Sequence, residues 1–110
     1  EIYLDGKLKA NKDASGNVKQ NSYPLEIGYQ TNSKTKFFHG NIDNVAIWDK
    51  ALSVDEITSL YNNGNTKSAS IINSGNLKAY YKMNGTDSKL IDSSGNNNDG
   101  TITGASREER

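Results

Sequence analysis

Apolar and polar positions along the chain fall into short alternating runs separated by polar turns, the period of strands that bury one face. Ile2, Leu4 and Leu8 flank Asp5-Gly6, a dipeptide that tolerates the positive φ angles of a type I′ turn, so Ile2 to Asp5 and Lys7 to Ala10 read as a β-hairpin. Asn11 to Ser22 holds one aliphatic side chain, Val18, beside Gly16, and reads as a surface loop. Tyr23, Leu25, Ile27 and Tyr29 then alternate with Pro24, Glu26, Gly28 and Gln30. This predicts a half-buried strand with Pro24 near its start, where a missing donor is tolerable. Thr31 to Lys36 is a turn-rich loop, and Phe37 to Trp48 is the longest strand candidate. Its alternation slips, because Phe38, Gly40 and Ile42 share one parity while Val45 and Ile47 take the other. Either a bulge falls near Asp43-Asn44 or the strand is covered on both faces, and both arrangements bury Asp43 in part.

The period then changes. Ser53-Val54-Asp55-Glu56 matches a capping box, with two acids at the positive end of a helix. Val54, Ile57, Leu60 and Tyr61 follow at helical spacing, and Asn62-Asn63-Gly64 supplies a left-handed stop, so a helix of two or three turns is predicted. Asn65 to Asn76 is a polar loop interrupted by Ile71-Ile72. Leu77, Ala79, Tyr81 and Met83 alternate with Lys78, Tyr80 and Lys82 as a further strand. Asn84 to Gly100 is turn-forming apart from Leu90-Ile91, Thr101 to Thr103 makes a short last strand, and Ser106 to Arg110 is a mobile charged tail.

Composition narrows the class. At 110 residues there is room for roughly one domain. Fifteen Asn, twelve Ser, seven Thr and ten Gly favour turns and polar strand surfaces over helices, which points to an all-β module. Apolar residues including glycine number 40, below the roughly 45–50% of an average soluble domain, so the core is thin. Thirteen basic residues cancel thirteen acidic ones. With the lysines scattered, neither nucleic acid nor an anionic membrane surface is an expected partner. No apolar run is long enough to insert into a bilayer. The absence of cysteine removes disulfides, thiolate zinc sites and cysteine nucleophiles together. The chain opens on Glu1 directly into strand-like sequence, as a processed product or an excerpt of a longer protein would.

The stretch FFHGNIDNVAIWDKALSVDEITSLYNNG, Phe37 to Gly64, resembles the closing segment of laminin-G-like, concanavalin-A-like jelly-roll domains. YLDGKLK from Tyr3 and PLEIGYQ from Pro24 are similar to the hairpin and strand that precede it in that family, and LKAYYKMNGTDSKLIDSSGNNNDGTITG, Leu77 to Gly104, to the opening of such a domain. The resemblance implies an all-β fold, a partial concanavalin-A-like jelly-roll sandwich with one short helix. On this reading residues 1–64 are the closing half of one domain, 65–76 a linker, 77–104 the opening strands of another, and 105–110 a tail. The middle strands of a complete jelly roll are not encoded. The chain either crosses the junction of two tandem domains or folds Leu77 to Met83 back beside Ile42 to Trp48. In both arrangements open sheet edges remain, and these are expected to pair with another copy or a partner chain.

Chemistry is sparse. A glycosidase needs two carboxylates roughly 5–10 Å apart, and Asp43 has no acid at a nearby alternate position. His39 is the only histidine and has no nucleophile setting, so no catalytic residues are assigned and the chain is read as no enzyme. Hard oxygen ligands are plentiful in Asp92 to Gly100, DSSGNNNDG. Asp92, Asp99 and Asp43 are therefore candidate Ca²⁺ ligands, although the loop lacks EF-hand spacing and also suits an Asx-turn. The resemblance most often implies carbohydrate binding, for which sugar-stacking aromatic faces beside amides are needed. Tyr29, Tyr80 and Trp48 are the candidates, with Tyr3 and Tyr23 as further rings, while Trp48 is also expected to pack on the Ile57 and Leu60 side of the helix. The expected partner is a glycan or a neighbouring protein subunit, and the expected setting extracellular, on a cell surface or virion. A structural module of a surface fibre is the competing class. Asn84-Gly85-Thr86 is an N-glycosylation sequon.

Overall fold

The computed structural model describes residues 1–30, 35–86 and 88–107. The chain divides into two units, Glu1–Asn11 with the stretch from Asp43 onward, and Lys12–Ile42.

In the first unit β1 (Ile2–Leu4) and β2 (Lys7–Ala10) form the expected hairpin, with Leu4 opposite Lys7 and Tyr3 opposite Leu8. Asp5 at φ 51° and Gly6 at φ 74° supply the two positive angles of the turn. β3 (Val45–Trp48) follows, then α1 (Val54–Tyr61). Both halves of the capping box are made: Glu56 N–H donates to Ser53 Oγ at 3.2 Å, and Ser53 N–H to Glu56 Oε2 at 2.7 Å. Asn62, Asn63 and Gly64 all take positive φ and end the helix as the sequence indicates. β4 (Leu77–Tyr81) runs antiparallel to β3, with Val45 opposite Tyr81, Ala46 opposite Tyr80 and Ile47 opposite Ala79. β5 (Lys89–Leu90), which the sequence reading does not predict as a strand, pairs with β6 (Gly100–Thr101), which overlaps the expected last strand Thr101 to Thr103 only at Thr101.

The core is built on β4. Ala69, Leu77 and Tyr80 are buried together, with Ala46 and Trp48 packed against them. Lys78 alone in β4 is exposed, so this strand is covered on both faces over its second half. The loop expected over 65–76 is instead tightened into single 3₁₀ turns at Ala69–Ile71 and Ser74–Asn76. It is also anchored. Trp48 Nε1 donates to Ile72 O at 2.8 Å, and the Asn73 side-chain amide donates to the Glu56 carboxylate.

Three expectations are corrected. Among the described residues there are three separate two-stranded sheets and no pair of sheets packed face to face, so the jelly-roll sandwich is present only as a fragment. Phe37 to Trp48 is a strand only from Val45, because Asn44 at φ 52° breaks it where the parity slips, and Asp43 is exposed rather than partly buried. In the second unit Tyr23 to Gln30 forms no strand. Tyr23 and Leu25 are 71% and 67% exposed, and without a covered face or a neighbouring ladder the alternation has nothing to fix it. What persists there is an isolated bridge between Tyr29 and Phe37, supported by Phe38 N–H donating to Gly28 O at 2.8 Å. Of the tail, Arg107 donates Nη2 to Lys89 O at 2.9 Å, while Glu108 to Arg110 lie outside the described residues.

Candidate functional site

The first unit contains a cleft of about 520 Å³. It is lined by Ala46, Trp48 and Tyr80 from the β3–β4 sheet and by Ile57, Leu60 and Tyr61 from α1. Helical spacing puts those three helix residues on one stripe, and the β3–β4 register brings Ala46 against Tyr80 and Trp48 against Leu77. The hairpin contributes Tyr3 and Gly6 to the lining, and Asp43, Asn44, Thr66 and Lys67 add polar groups to it. Gly6 fits because it has no side chain: a Cβ there would lie 3.0 Å from Tyr61 Cδ1 and 3.1 Å from Tyr61 Cβ. The turn therefore rests directly on the end of α1. An apolar and aromatic lining with a few polar groups is the usual make-up of a small-molecule site.

The aromatic candidates separate. Trp48 and Tyr80 both border this cleft. Trp48 is half-buried and fixed by its bond to Ile72, and it lies against the Ala69, Leu77 and Tyr80 cluster. Tyr80 is only 3% exposed and donates its hydroxyl to Asn44 Oδ1 at 3.2 Å, so its ring serves the wall more than a stacking platform. Tyr29 belongs to the second unit, where it stacks on Phe37 with centroids 4.8 Å apart and planes at 21°. Tyr61 and Lys67 were not singled out by sequence. Tyr61 reads as one more residue of the helix stripe, and nothing in the local sequence reports that the hairpin turn meets it or that Lys67 lines the same cleft.

The acidic candidates form a different arrangement. Asp92 is 8% exposed, and each of its oxygens accepts two hydrogen bonds. Oδ1 accepts Tyr80 N–H and Ser94 N–H, both at 2.9 Å, and Oδ2 accepts Ser94 Oγ–H and Asn98 N–H, both at 2.9 Å. Burial pushes this carboxyl up, but the donors from Ser94, Tyr80 and Asn98 outweigh it and hold the group below the ordinary aspartate value. Asp99 Oδ1 accepts Asp92 N–H at 2.8 Å and Oδ2 pairs with Lys89 Nζ at 2.9 Å, and these two contacts lower its pKa in that order. Tyr81 donates to Asn98 O at 2.6 Å, and burial followed by the negative charges of Asp92 and Asp99 raises its phenol.

These residues do not fit calcium as they stand. Ca²⁺ takes six to eight oxygens with lone pairs turned to it, and here the lone pairs of Asp92 and the oxygens of Asp99 face N–H, O–H and ammonium groups. Among the described residues no three Asp, Glu, His or Cys side chains gather where one ion could touch them, so Asp43 does not join Asp92 and Asp99. The geometry is that of the Asx-turn loop, pinned to β4. Asn96 Nδ2 donates to Leu77 O and Asn98 Nδ2 to Lys78 O, both at 2.8 Å, and Ser93 N–H donates to Tyr80 O at 2.7 Å.

Comparison with known proteins bears on the first half of the chain. The family model described as the concanavalin A-like lectin/glucanases superfamily, of laminin G type, matches residues 1–58. The chain belongs to this superfamily. Neither the curated proteins nor the solved structures include a significant match. The matched residues run from the hairpin through β3 into α1, the elements that supply most of the cleft.

Proposed function

We propose that the protein is a non-catalytic extracellular recognition module that binds carbohydrate in the cleft between β3, α1 and the hairpin. The observation that carries this reading is the grouping of Tyr3, Trp48 and Tyr61 with the apolar Ala46, Ile57 and Leu60 and the polar Asp43, Asn44 and Lys67 in the lining of one cleft. Aromatic faces accept sugar C–H groups, and amide, carboxylate and ammonium groups meet hydroxyls. Membership of a lectin and glucanase superfamily supports the ligand class. Asp43 is the sole acid lining the cleft among the described residues, whereas glycoside hydrolysis uses two carboxylates. That favours binding over cleavage.

In the same reading residues 1–64 are the closing half of a laminin-G-like domain, and 77–104 are the opening strands of such a domain. The 65–76 segment between them carries Thr66, Lys67 and Ala69 into the cleft wall. The test is a glycan array probed with the labelled chain, followed by titration of each hit against the wild type and Tyr61→Ala. Binding that the variant weakens at least tenfold supports the reading. An array without hits, or hits indifferent to Tyr61, overturns it.

A further inference from the structure

We propose that Asn84 is a site of spontaneous covalent modification, where the side-chain amide condenses with the Gly85 nitrogen to a succinimide that water opens to aspartate and isoaspartate. The Gly85 nitrogen attacks Asn84 Cγ and gives its proton to water. The Cγ–Nδ2 bond breaks, and Nδ2 takes up a proton and leaves as ammonia. Water then adds to either ring carbonyl. Opening at one restores the main chain with an aspartate, and opening at the other leaves an isoaspartate whose main chain is longer by one carbon.

Four places in the chain set Asn or Asp before Gly, the pairing in which no side chain shields the attacking nitrogen: Asp5-Gly6, Asn63-Gly64, Asn84-Gly85 and Asp99-Gly100. Closure needs ψ of the first residue to turn until its Cβ lies over the Gly nitrogen, so a fixed backbone forbids it. Asp5 is held in the β1–β2 turn at φ 51°, and Gly6 there packs on Tyr61. Asn63 sits at φ 54° and ψ 37° inside a turn closed by Asn65 N–H donating to Asn62 O at 3.1 Å. Asp99 has both oxygens engaged, and Gly100 belongs to β6.

Asn84-Gly85 is the exception. It lies between β4 and β5 in no helix, strand or bridge, both residues are exposed, and φ of Asn84 is not left-handed. Among the described residues no hydrogen bond reaches the Asn84 amide or the Gly85 N–H. Exposure alone does not set the site apart, since Asn63 is exposed as well. The difference is that no bond holds the main chain at 84, which also lets it take the extra carbon of the isoaspartate. Either product puts a negative charge beside the Arg107 guanidinium, whose Nη2 a Cβ on Gly85 would meet at 3.2 Å.

The test is incubation of the folded chain in mildly alkaline buffer, with a parallel sample kept in denaturant. Digestion and fragment mass spectrometry then separate asparagine, aspartate and isoaspartate at positions 63 and 84. In the folded chain Asn84 is expected to convert at least about tenfold faster than Asn63, which reacts only when the helix stop opens locally. In denaturant the two rates are expected to converge. An acidic charge variant should build up on isoelectric focusing in step with conversion at 84, and be largely lost in Asn84→Gln, where ring closure is slow. An Asn84 that stays intact, or that converts no faster than Asn63 in the folded chain, would overturn the proposal. A preference of the same size in denaturant would overturn it too, because the fold would then not select the site.

Discussion

Asp92 accepts the backbone N–H of Tyr80 at 2.9 Å, and through that bond a loop made almost wholly of Ser, Asn, Asp and Gly is fastened to the strand at the centre of the core. Polar side chains here do what a neighbouring strand does elsewhere, which suits a chain with few aliphatic residues. Asp92→Ala leaves the buried Tyr80 N–H without its acceptor and frees Ser94 and Asn98. The expected cost is about 2–3 kcal/mol, from an unsatisfied buried donor and lost charge-assisted bonds. Chemical denaturation of the variant against the wild type checks it, and a loss below about 0.5 kcal/mol would show that the loop does not hold β4.

The same loop sets an acid limit. Asp92, Asp99, Asp49 and Glu56 are all held below the ordinary carboxylate value by hydrogen bonds and, for Asp99 and Asp49, by Lys89 and Lys78. Each binds its proton less readily folded than unfolded. The stability they contribute is thus complete above the unfolded-state value near about 4, and is lost as pH falls through the lowered folded values. Melting temperature is expected to be flat with respect to these groups from pH 7 to about 5 and to drop below about 4. In Asp92→Asn that drop should be smaller.

Calcium addition provides an independent check on the filled lone pairs of Asp92 and on the pairing of both Asp99 oxygens. Millimolar CaCl₂ or EDTA is expected to leave the melting temperature unchanged, since an ion that bound only the folded chain would raise it. A calcium-dependent rise abolished by Asp92→Asn would contradict the geometry described for this loop.

The helix depends on the residue that caps its start and on the turn beneath its last residue. Ser53→Ala removes the cap and is expected to cost about 1 kcal/mol. Gly6→Ala puts a methyl group within 3.0 Å of the Tyr61 ring at a backbone φ of 74°, and is expected to destabilise by about 1–3 kcal/mol. If Gly6→Ala proved neutral, the hairpin would not rest on α1 as described.

Local signals in the sequence located what local chemistry controls. Asp5-Gly6 marked the hairpin, Ser53 with Glu56 marked the helix start, and Asn62-Asn63-Gly64 its end. The parity slip at Asp43-Asn44 located the left-handed Asn44. Alternation failed for Tyr23 to Gln30 because a strand needs a partner, and the pattern of side chains cannot say whether one is present. The cleft was legible only in part. Trp48 and Tyr80 border it as candidates, but Tyr61 and Lys67 enter through the meeting of hairpin, helix and 3₁₀ segment, which no short window encodes. Asp92 and Asp99 were found as an oxygen-rich pair, yet whether such oxygens face an ion or backbone amides depends on where β4 lies.

Carbohydrate binding in the cleft is tested most directly by an amide NMR titration of the ¹⁵N-labelled chain with the strongest glycan from the array. Saturable shifts centred on Tyr3, Asn44, Trp48, Tyr61 and Lys67 are the expected result. Shifts confined to the stretch around Tyr29 and Phe37, or no saturable shift at all, would contradict it.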